Sequence, residues 1–251
     1  MGCMLIMSSM PKPRSVVIRP ALTRLPVITT GRRVIRYLLR ALVRLLVTLC
    51  LRVEVTGRNN IPAQGPLVIV SNHLGDADAI LGRAVTSLPI EFIAKAELYD
   101  LPVLGSLLDA YGVIWIHRGQ PDRRALRAAL DGLRQGRVVG IAPEGRESVT
   151  GGLEEGTGGA AFLALSSQAP VMPVTFTGTE NSRIRANLKR LRRTRVTVTI
   201  GSVFQLEPHV DRHKALELGT QKIMVKLAQQ LPIEYQGVYQ DATPSISGKR
   251  D

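Results

Sequence analysis

Short apolar runs alternate with longer segments of helical periodicity along most of the chain. The runs are bounded by glycine, proline or charged residues, which is typical of short buried strands. They predict strands at Pro66–Val70, Glu91–Ala94, Gly112–Ile116, Arg137–Ile141, Val171–Phe176 and Arg195–Ile200. Between them, the spacing predicts helices at roughly 77–88, 121–135, 158–168 and 212–230. This alternation indicates an α/β fold with a central mixed, largely parallel sheet flanked by helices.

A different pattern occupies residues 34–51, which read VIRYLLRALVRLLVTLCL. The length suits a membrane span, but each arginine at the bilayer centre costs about 2.5–3.5 kcal/mol, and the run contains three. Arginines recur at every fourth residue and form one stripe on a helix, at Arg32, Arg36, Arg40 and Arg44. The pattern predicts a basic amphipathic helix that lies on an anionic membrane. The alternative is a soluble helix whose leucines pack against the rest of the protein.

The charged residues, like the hydropathy pattern, set the N-terminal segment apart from the rest of the chain. Residues 1–52 contain ten Lys and Arg and no Asp or Glu, and residues 183–195 form a second cluster without acids. The net charge is only +13, so the remainder of the chain is mildly acidic. We predict a basic helical membrane-association segment at 1–52, a main domain at 53–235 and a C-terminal tail at 236–251.

The two basic clusters imply a polyanionic partner, which is a lipid headgroup, a phosphorylated substrate or a nucleic acid. Residues 183–195 lack interleaved aromatic residues and any recognisable reader module, so we expect no nucleic acid. A non-enzymatic nucleic-acid-binding protein remains the less favoured alternative. The two cysteines, Cys3 and Cys50, make no disulfide framework and favour a reducing, cytosol-facing location.

Candidate chemistry begins where the first predicted strand ends, in SNHLGDAD at residues 71–78. In a largely parallel sheet, sites gather at the carboxyl ends of the strands. His73 is followed by Asp78 at a spacing that diverges by about 140° on a straight helix. The two residues form a base and its orienting carboxylate only if His73 lies in the turn and Asp78 folds back from the first helical turn. Asp76 is the competing carboxylate, and an ordinary polar strand end is the simpler interpretation.

Two further strand ends carry charged residues. Arg118 closes the strand at Gly112–Ile116 and is a candidate phosphate clamp. The sequence Pro-Glu-Gly-Arg-Glu-Ser follows the strand at Arg137–Ile141, where Gly145 permits close backbone approach and Arg146 offers a planar fork of donors. Both segments are equally typical of solvated surface charges. The sequence contains no Walker loop, nucleophile elbow or metal-ligand spacing, so we expect no metal.

Taken in order, these segments resemble the four sequence blocks of the glycerolipid acyltransferases. Residues 72–78 match the NHx4D block, and residues 112–118 match the block that ends in arginine. Residues 143–145 match the Pro-Glu-Gly block, and residues 171–180 match the fourth. Lys95, in Lys-Ala-Glu-Leu, adds a supporting match, and the resemblance covers residues 53–206. In the third block the family's Gly-Thr-Arg-Ser is replaced by Gly-Arg-Glu-Ser, so Glu147 stands at the position of the family's arginine.

The resemblance implies a function and a set of roles. We expect transfer of a fatty acyl chain from a thioester, either acyl-CoA or acyl carrier protein, to a hydroxyl of a lysophosphatidic-acid-like acceptor in phospholipid biosynthesis. His73 is the expected base, oriented by Asp78, and no cofactor is needed. The acceptor phosphate is expected to be framed by Lys95, Arg118, Glu144, Gly145 and Arg146. The enzyme is expected at the cytoplasmic face of the cell membrane, peripheral or monotopic, and a thioester hydrolase using the same His–Asp pair is the alternative.

Overall fold

The computed structural model describes residues 21–117 and 122–242. Within these residues, helices and strands alternate as the sequence pattern predicts. The helices are α1 (Thr30–Cys50), α2 (Ala77–Val85), α3 (Pro102–Tyr111), α4 (Arg123–Arg134), α5 (Gly159–Ser167), α6 (Asn181–Lys189) and α7 (Arg212–Ala228). The strands are β1 (Leu51–Thr56), β2 (Leu67–Ser71), β3 (Ile90–Lys95), β4 (Ile114–Ile116), β5 (Val138–Ile141), β6 (Val171–Thr177) and β7 (Thr194–Ile200). Short 3₁₀ helices occupy Arg58–Asn60, Ala96–Asp100, Ile233–Tyr235 and Gly237–Ala242.

The seven strands form one sheet in the order β1-β7-β6-β2-β5-β3-β4. Every neighbouring pair is parallel except β6 and β7, which run antiparallel. The predicted α/β class with a mixed, largely parallel sheet is therefore confirmed. Each of the six predicted strands is present within a few residues of its expected bounds. The sequence interpretation missed β1, α3 and α6.

Both faces of the sheet are covered, because alternate side chains of the central strands enter two separate apolar layers. In β2, Val68 and Val70 pack with α4, α5 and α7. Leu67 and Ile69, between them, pack on the other face with α1 and α2. A fully buried strand of this kind reads as a continuous apolar run, which is why β2 is clear in the sequence.

The interpretation of the arginine stripe on α1 is wrong in one respect, because part of the stripe faces the protein. Arg36 is buried and forms a bidentate ion pair with Glu91 of β3, with N–O distances of 2.9 and 2.6 Å. Arg32 donates to the backbone carbonyls of Val27, Asp109 and Ala110. Residues 1–52 contain no acidic partner for the stripe, but the fold supplies one, Glu91, from the distant strand β3.

The outer surface of α1 is consequently apolar. Large apolar side chains with about half or more of their surface exposed line it, at Val34, Tyr37, Leu38, Leu42, Leu45, Leu46 and Leu49. The neighbouring helix α3 and the residue before it add Leu101, Val103, Leu104 and Leu107. Among the described residues, none of the helices combines the length and hydropathy that crossing a bilayer requires.

Candidate active site

The loop between β2 and α2 brings His73 and Asp78 together. His73 lies in the turn after β2, and Asp78 lies in the first turn of α2, with its Oδ2 3.0 Å from His73 Nδ1. The same oxygen accepts hydrogen bonds from the backbone N–H groups of Leu74 and Gly75 at 2.7 and 2.9 Å. The carboxylate therefore fixes both the imidazole and the turn that carries it. Asp76 has an exposed side chain and does not take this place.

Asn72 anchors the end of β2 against β6. Its side-chain amide donates to the carbonyl of Phe176, and its amide oxygen accepts from the Phe176 N–H, both at 2.8 Å. The side chain is buried, so these bonds satisfy groups that water cannot reach. The asparagine thereby ends strand pairing one residue before the histidine. Sequence reasoning recognised Asn72 only as part of the motif and gave it no role.

Glu144 connects the histidine turn to the following loop. Its Oε1 accepts from the backbone N–H of His73 at 3.2 Å, and its Oε2 accepts from the N–H of Glu154 at 2.9 Å. Burial raises the pKa of Glu144 to about 7, because loss of hydration outweighs the hydrogen bonds that favour the charged form. Glu144 therefore joins two backbone amides, one from each loop. Its neighbour Gly145 has a φ of 72°, a left-handed conformation that favours glycine.

A cavity of about 790 Å³ opens beside His73 and extends between α2 and the sheet. His73, Asp78 and Glu144 line one part of it. Its remaining walls are mainly apolar and include Ile69, Phe92, Met172, Val174, Phe176 and Ile200. The size lies in the ordinary range for small-molecule sites, and the lining suits an aliphatic chain.

Two of the three predicted substrate-binding cations, Lys95 and Arg146, are paired with carboxylates. Lys95, at the end of β3, has its Nζ 3.5 Å from Oε1 of Glu147. Arg146 forms a close ion pair with Glu154, at 2.6 Å between Nη2 and Oε2. Arg146 therefore turns toward Glu154, and Glu147 occupies the place next to Lys95. Arg118 lies outside the described residues.

A second imidazole and carboxylate line the same cavity. His117 Nδ1 is 3.3 Å from Oδ2 of Asp122, and the His117 N–H donates to that oxygen at 3.0 Å. Burial pushes the pKa of Asp122 upward, but hydrogen bonds from His117, Ala125 and Arg124 bring it below its usual value. Asp122 also caps α4 through the N–H groups of Arg124 and Ala125. Sequence reasoning gave His117 no role, although its spacing to Asp122 equals that of His73 to Asp78.

The α/β sheet agrees with the comparisons made with known proteins. The profile of the Acyltransferase family matches residues 52–177, which is half of the chain. The protein belongs to the Acyltransferase family, as the four sequence blocks predicted.

Individual relatives are similar over the same region. The chain is 30% identical over 138 residues to a 1-acyl-sn-glycerol-3-phosphate acyltransferase of Borreliella burgdorferi, covering 54% of this chain and 55% of the relative. It is 32% identical over 133 residues to the Bacillus subtilis protein of the same name, covering 52% and 65%. The matched region thus spans between about half and two thirds of these relatives.

The fold also has a solved counterpart. The crystal structure of the 1-acyl-sn-glycerophosphate acyltransferase PlsC from Thermotoga maritima superposes with a TM-score of 0.58 at 21% identity. The superposition covers 76% of this chain and 78% of that one. At this identity the likeness establishes a shared fold, including the α/β sheet described above.

Proposed function

We propose that the protein transfers a fatty acyl chain from a thioester to the free hydroxyl of a single-chain glycerolipid of the lysophosphatidate type. The observation that carries the proposal is the His73–Asp78 pair, 3.0 Å apart, at the edge of a largely apolar cavity. A base next to a site for an aliphatic chain is the arrangement that acyl transfer to an alcohol needs. Acyl-CoA and acyl carrier protein are the two candidate donors.

In the proposed reaction, His73 acts as the general base. Asp78 holds Nδ1 in the N–H form, so Nε2 is the ring nitrogen that accepts the proton of the acceptor hydroxyl. The resulting alkoxide oxygen attacks the thioester carbonyl, and an ester bond forms as the carbon–sulfur bond breaks. The imidazolium returns the proton to the departing thiolate. Asp78 stabilises the imidazolium in between, as in other orienting carboxylates.

The cavity supplies the site for the acyl chain in this proposal. Ile69, Met172, Val174 and Phe176 give it aliphatic and aromatic walls on the sheet side. Each methylene group that leaves water for such a site contributes about 0.8 kcal/mol. Binding in the cavity therefore holds the thioester next to His73 without any polar contact to the chain itself.

The membrane surface is the proposed location, at its cytoplasmic side. The exposed apolar face formed by α1 and α3 suits insertion at the level of the lipid headgroups and upper acyl chains. Arg33 and Arg44 are exposed on α1 and can contact anionic headgroups. The enzyme and a lipid acceptor are then held at the same surface.

The experiment that tests the proposal separates transfer from hydrolysis. Purified protein is incubated with acyl-CoA or acylated carrier protein, with and without lysophosphatidate, and the lipids are measured by mass spectrometry. We expect a two-chain product, with donor consumption that depends on the acceptor. Release of free fatty acid at the same rate with and without acceptor would identify a thioester hydrolase instead.

A further inference from the structure

Among the described residues, the two cations predicted to bind the headgroup, Lys95 and Arg146, are each balanced by a carboxylate. Lys95 faces Glu147 at 3.5 Å, and both side chains are about one third exposed. Arg146, a second predicted cation, forms an ion pair with Glu154, and the third, Arg118, lies outside the described residues. A site built for a phosphate dianion instead leaves its cations available to the phosphate. The balance arises because this chain has a carboxylate, Glu147, where the family pattern has an arginine.

Glu147 lies close to the catalytic turn and is held there. Its Oε2 accepts from the side-chain amide of Asn181 at 3.3 Å, and the Asn181 oxygen accepts from the N–H of Asp76 at 3.2 Å. The next residue, Ser148, donates its N–H to the carbonyl of His73 at 2.7 Å. In a glycerolipid the free hydroxyl and the headgroup are on adjacent carbons. A headgroup whose hydroxyl reaches His73 therefore lies beside this segment.

We propose that Glu147, together with Lys95, makes the site favour acceptors whose headgroup carries a cation next to its anion over the phosphate monoester lysophosphatidate, which it still accepts. The inference rests on the proposed acyl transfer and specifies its substrate class. The zwitterionic acceptor places its anionic group against Lys95 and its ammonium group against Glu147. Glu147 is then a specificity-determining residue for the headgroup.

Electrostatics distinguishes the two kinds of acceptor. The Lys95–Glu147 pair is a local dipole, and a zwitterion aligned against it satisfies both charges. A phosphate monoester carries a charge between −1.5 and −2 and meets Glu147 as a like charge, which disfavours binding next to a carboxylate. Like-charge juxtaposition is a common device for rejecting the wrong partner. Water screens a site that is one third exposed, so the expected discrimination is moderate.

The test compares two acceptors with the same acyl chain and the same free hydroxyl. Lysophosphatidate and lysophosphatidylethanolamine are each offered at equal mole fraction in neutral detergent micelles, and kcat/KM is measured for each. The ratio of the two values is determined for the wild type, Glu147→Gln and Glu147→Asp. Glu217→Gln on α7 removes the same charge at an exposed position away from the site and serves as the control.

We expect the wild type to use the zwitterionic acceptor at least as well as lysophosphatidate. Glu147→Gln should shift the ratio about tenfold toward lysophosphatidate, through a lower KM for that acceptor. Glu147→Asp and Glu217→Gln should keep the wild-type ratio. Overturning results are a wild type that prefers lysophosphatidate strongly, or a folded Glu147→Gln variant with an unchanged ratio. Absence of transfer to either acceptor by the wild type would instead overturn the proposed function, and this inference with it.

Discussion

The turn between β2 and α2 contains two aspartates, of which only Asp78 contacts His73, so Asp76 provides a matched control. Asp78 is buried and lies 3.0 Å from the imidazole, whereas Asp76 is exposed. We expect His73→Ala to lower kcat by about 10²–10⁴, the usual contribution of a general base. Asp78→Asn should also be severe, because the amide presents the wrong tautomeric partner and weakens the turn. Asp76→Asn should stay near wild-type activity in the same steady-state assay.

The opposite ranking of the two aspartates would show that the turn is wound differently in solution. A folded His73→Ala variant that keeps more than a few per cent of activity would remove His73 from the role of base. Thermal unfolding curves recorded for all three variants separate a catalytic loss from a folding defect.

Glu144 makes stability depend on pH near neutrality. Its pKa is about 7 in the folded protein and near 4.5 in the unfolded chain. Between pH 4.5 and 7, Glu144 is ionised in the unfolded chain and protonated in the folded protein. Rising pH in this range therefore stabilises the unfolded state relative to the folded state. We expect the free energy of unfolding of the wild type, relative to Glu144→Gln, to fall from pH 4.5 to 7 and then level off. Urea unfolding at several pH values measures this difference.

A difference between the two proteins that is flat over this range would mean that Glu144 is ionised throughout. Its hydrogen bonds from His73 and Glu154 would then outweigh burial, contrary to the direction of the shift. Taking the difference between the two proteins removes the contribution of the titratable groups that both contain.

At the residue scale, the sequence predicted the His73–Asp78 pairing from spacing and a resemblance. It did not predict the partners of Lys95 and Arg146, because ion pairs with Glu147 and Glu154 depend on how the loop after β5 folds. A shift of one position in the motif was visible in the sequence. Its electrostatic effect depends on which charged side chains the folded loop brings together.

At the element scale, α1 is held to the sheet by a buried ion pair. The side chains of Arg36 and Glu91 are 6% and 1% exposed, so removing one partner leaves the other charge buried. We expect Arg36→Ala to lower the free energy of unfolding by about 3–5 kcal/mol, toward the lower end because Arg137 also lies within 3.6 Å of Glu91. Arg33→Ala, an exposed neighbour, should change it by about 0.5 kcal/mol or less.

Urea unfolding followed by tryptophan fluorescence measures these free energies, since Trp115 is buried in β4 and becomes exposed on unfolding. A loss of under about 1 kcal/mol for Arg36→Ala would mean that Arg137 replaces the missing partner fully. A double variant, Arg36→Met with Glu91→Leu, should recover part of the loss because it removes both charges together.

There are physical reasons why the sequence patterns did not predict some of the elements. Strand β1 begins at Leu51, directly after α1 ends at Cys50, so no turn residue separates it from the apolar helix. Helix α3 shows no clear amphipathic face, because its outer surface is also apolar. The inward direction of Arg36 was equally hidden, since its partner Glu91 is 55 residues away in the sequence.

At the scale of the whole molecule, the proposed membrane attachment depends on one apolar face, formed by α1 and α3. We expect a Leu38→Gln, Leu42→Gln, Leu45→Gln variant to lose flotation with both neutral and anionic vesicles, because burial of each leucine is worth about 1.5–3 kcal/mol. An Arg33→Gln, Arg44→Gln variant should keep binding to neutral vesicles and lose only preference for anionic ones, at about 1 kcal/mol for each residue.

Vesicle flotation at low and high salt is the measurement. The wild type should stay bound to neutral vesicles at high salt, since apolar burial is not screened. Release by salt from every kind of vesicle would mean that charge, and not the leucine face, provides attachment. Replacing all four arginines of the stripe is not a suitable test, because Arg32 and Arg36 hold the helix to the body.

The Arg36–Glu91 pair has a practical consequence for anyone preparing this protein. Because the outer surface of α1 is apolar, a natural choice is to express a fragment that starts after Cys50 and needs no detergent. Such a fragment would keep Glu91 in its interior with Arg137 as the nearest cation and would uncover the side of α2 on which α1 rests. The helix that is the proposed membrane anchor thus also covers the interior of the protein. Mild detergent is therefore a better route to purified protein than truncation.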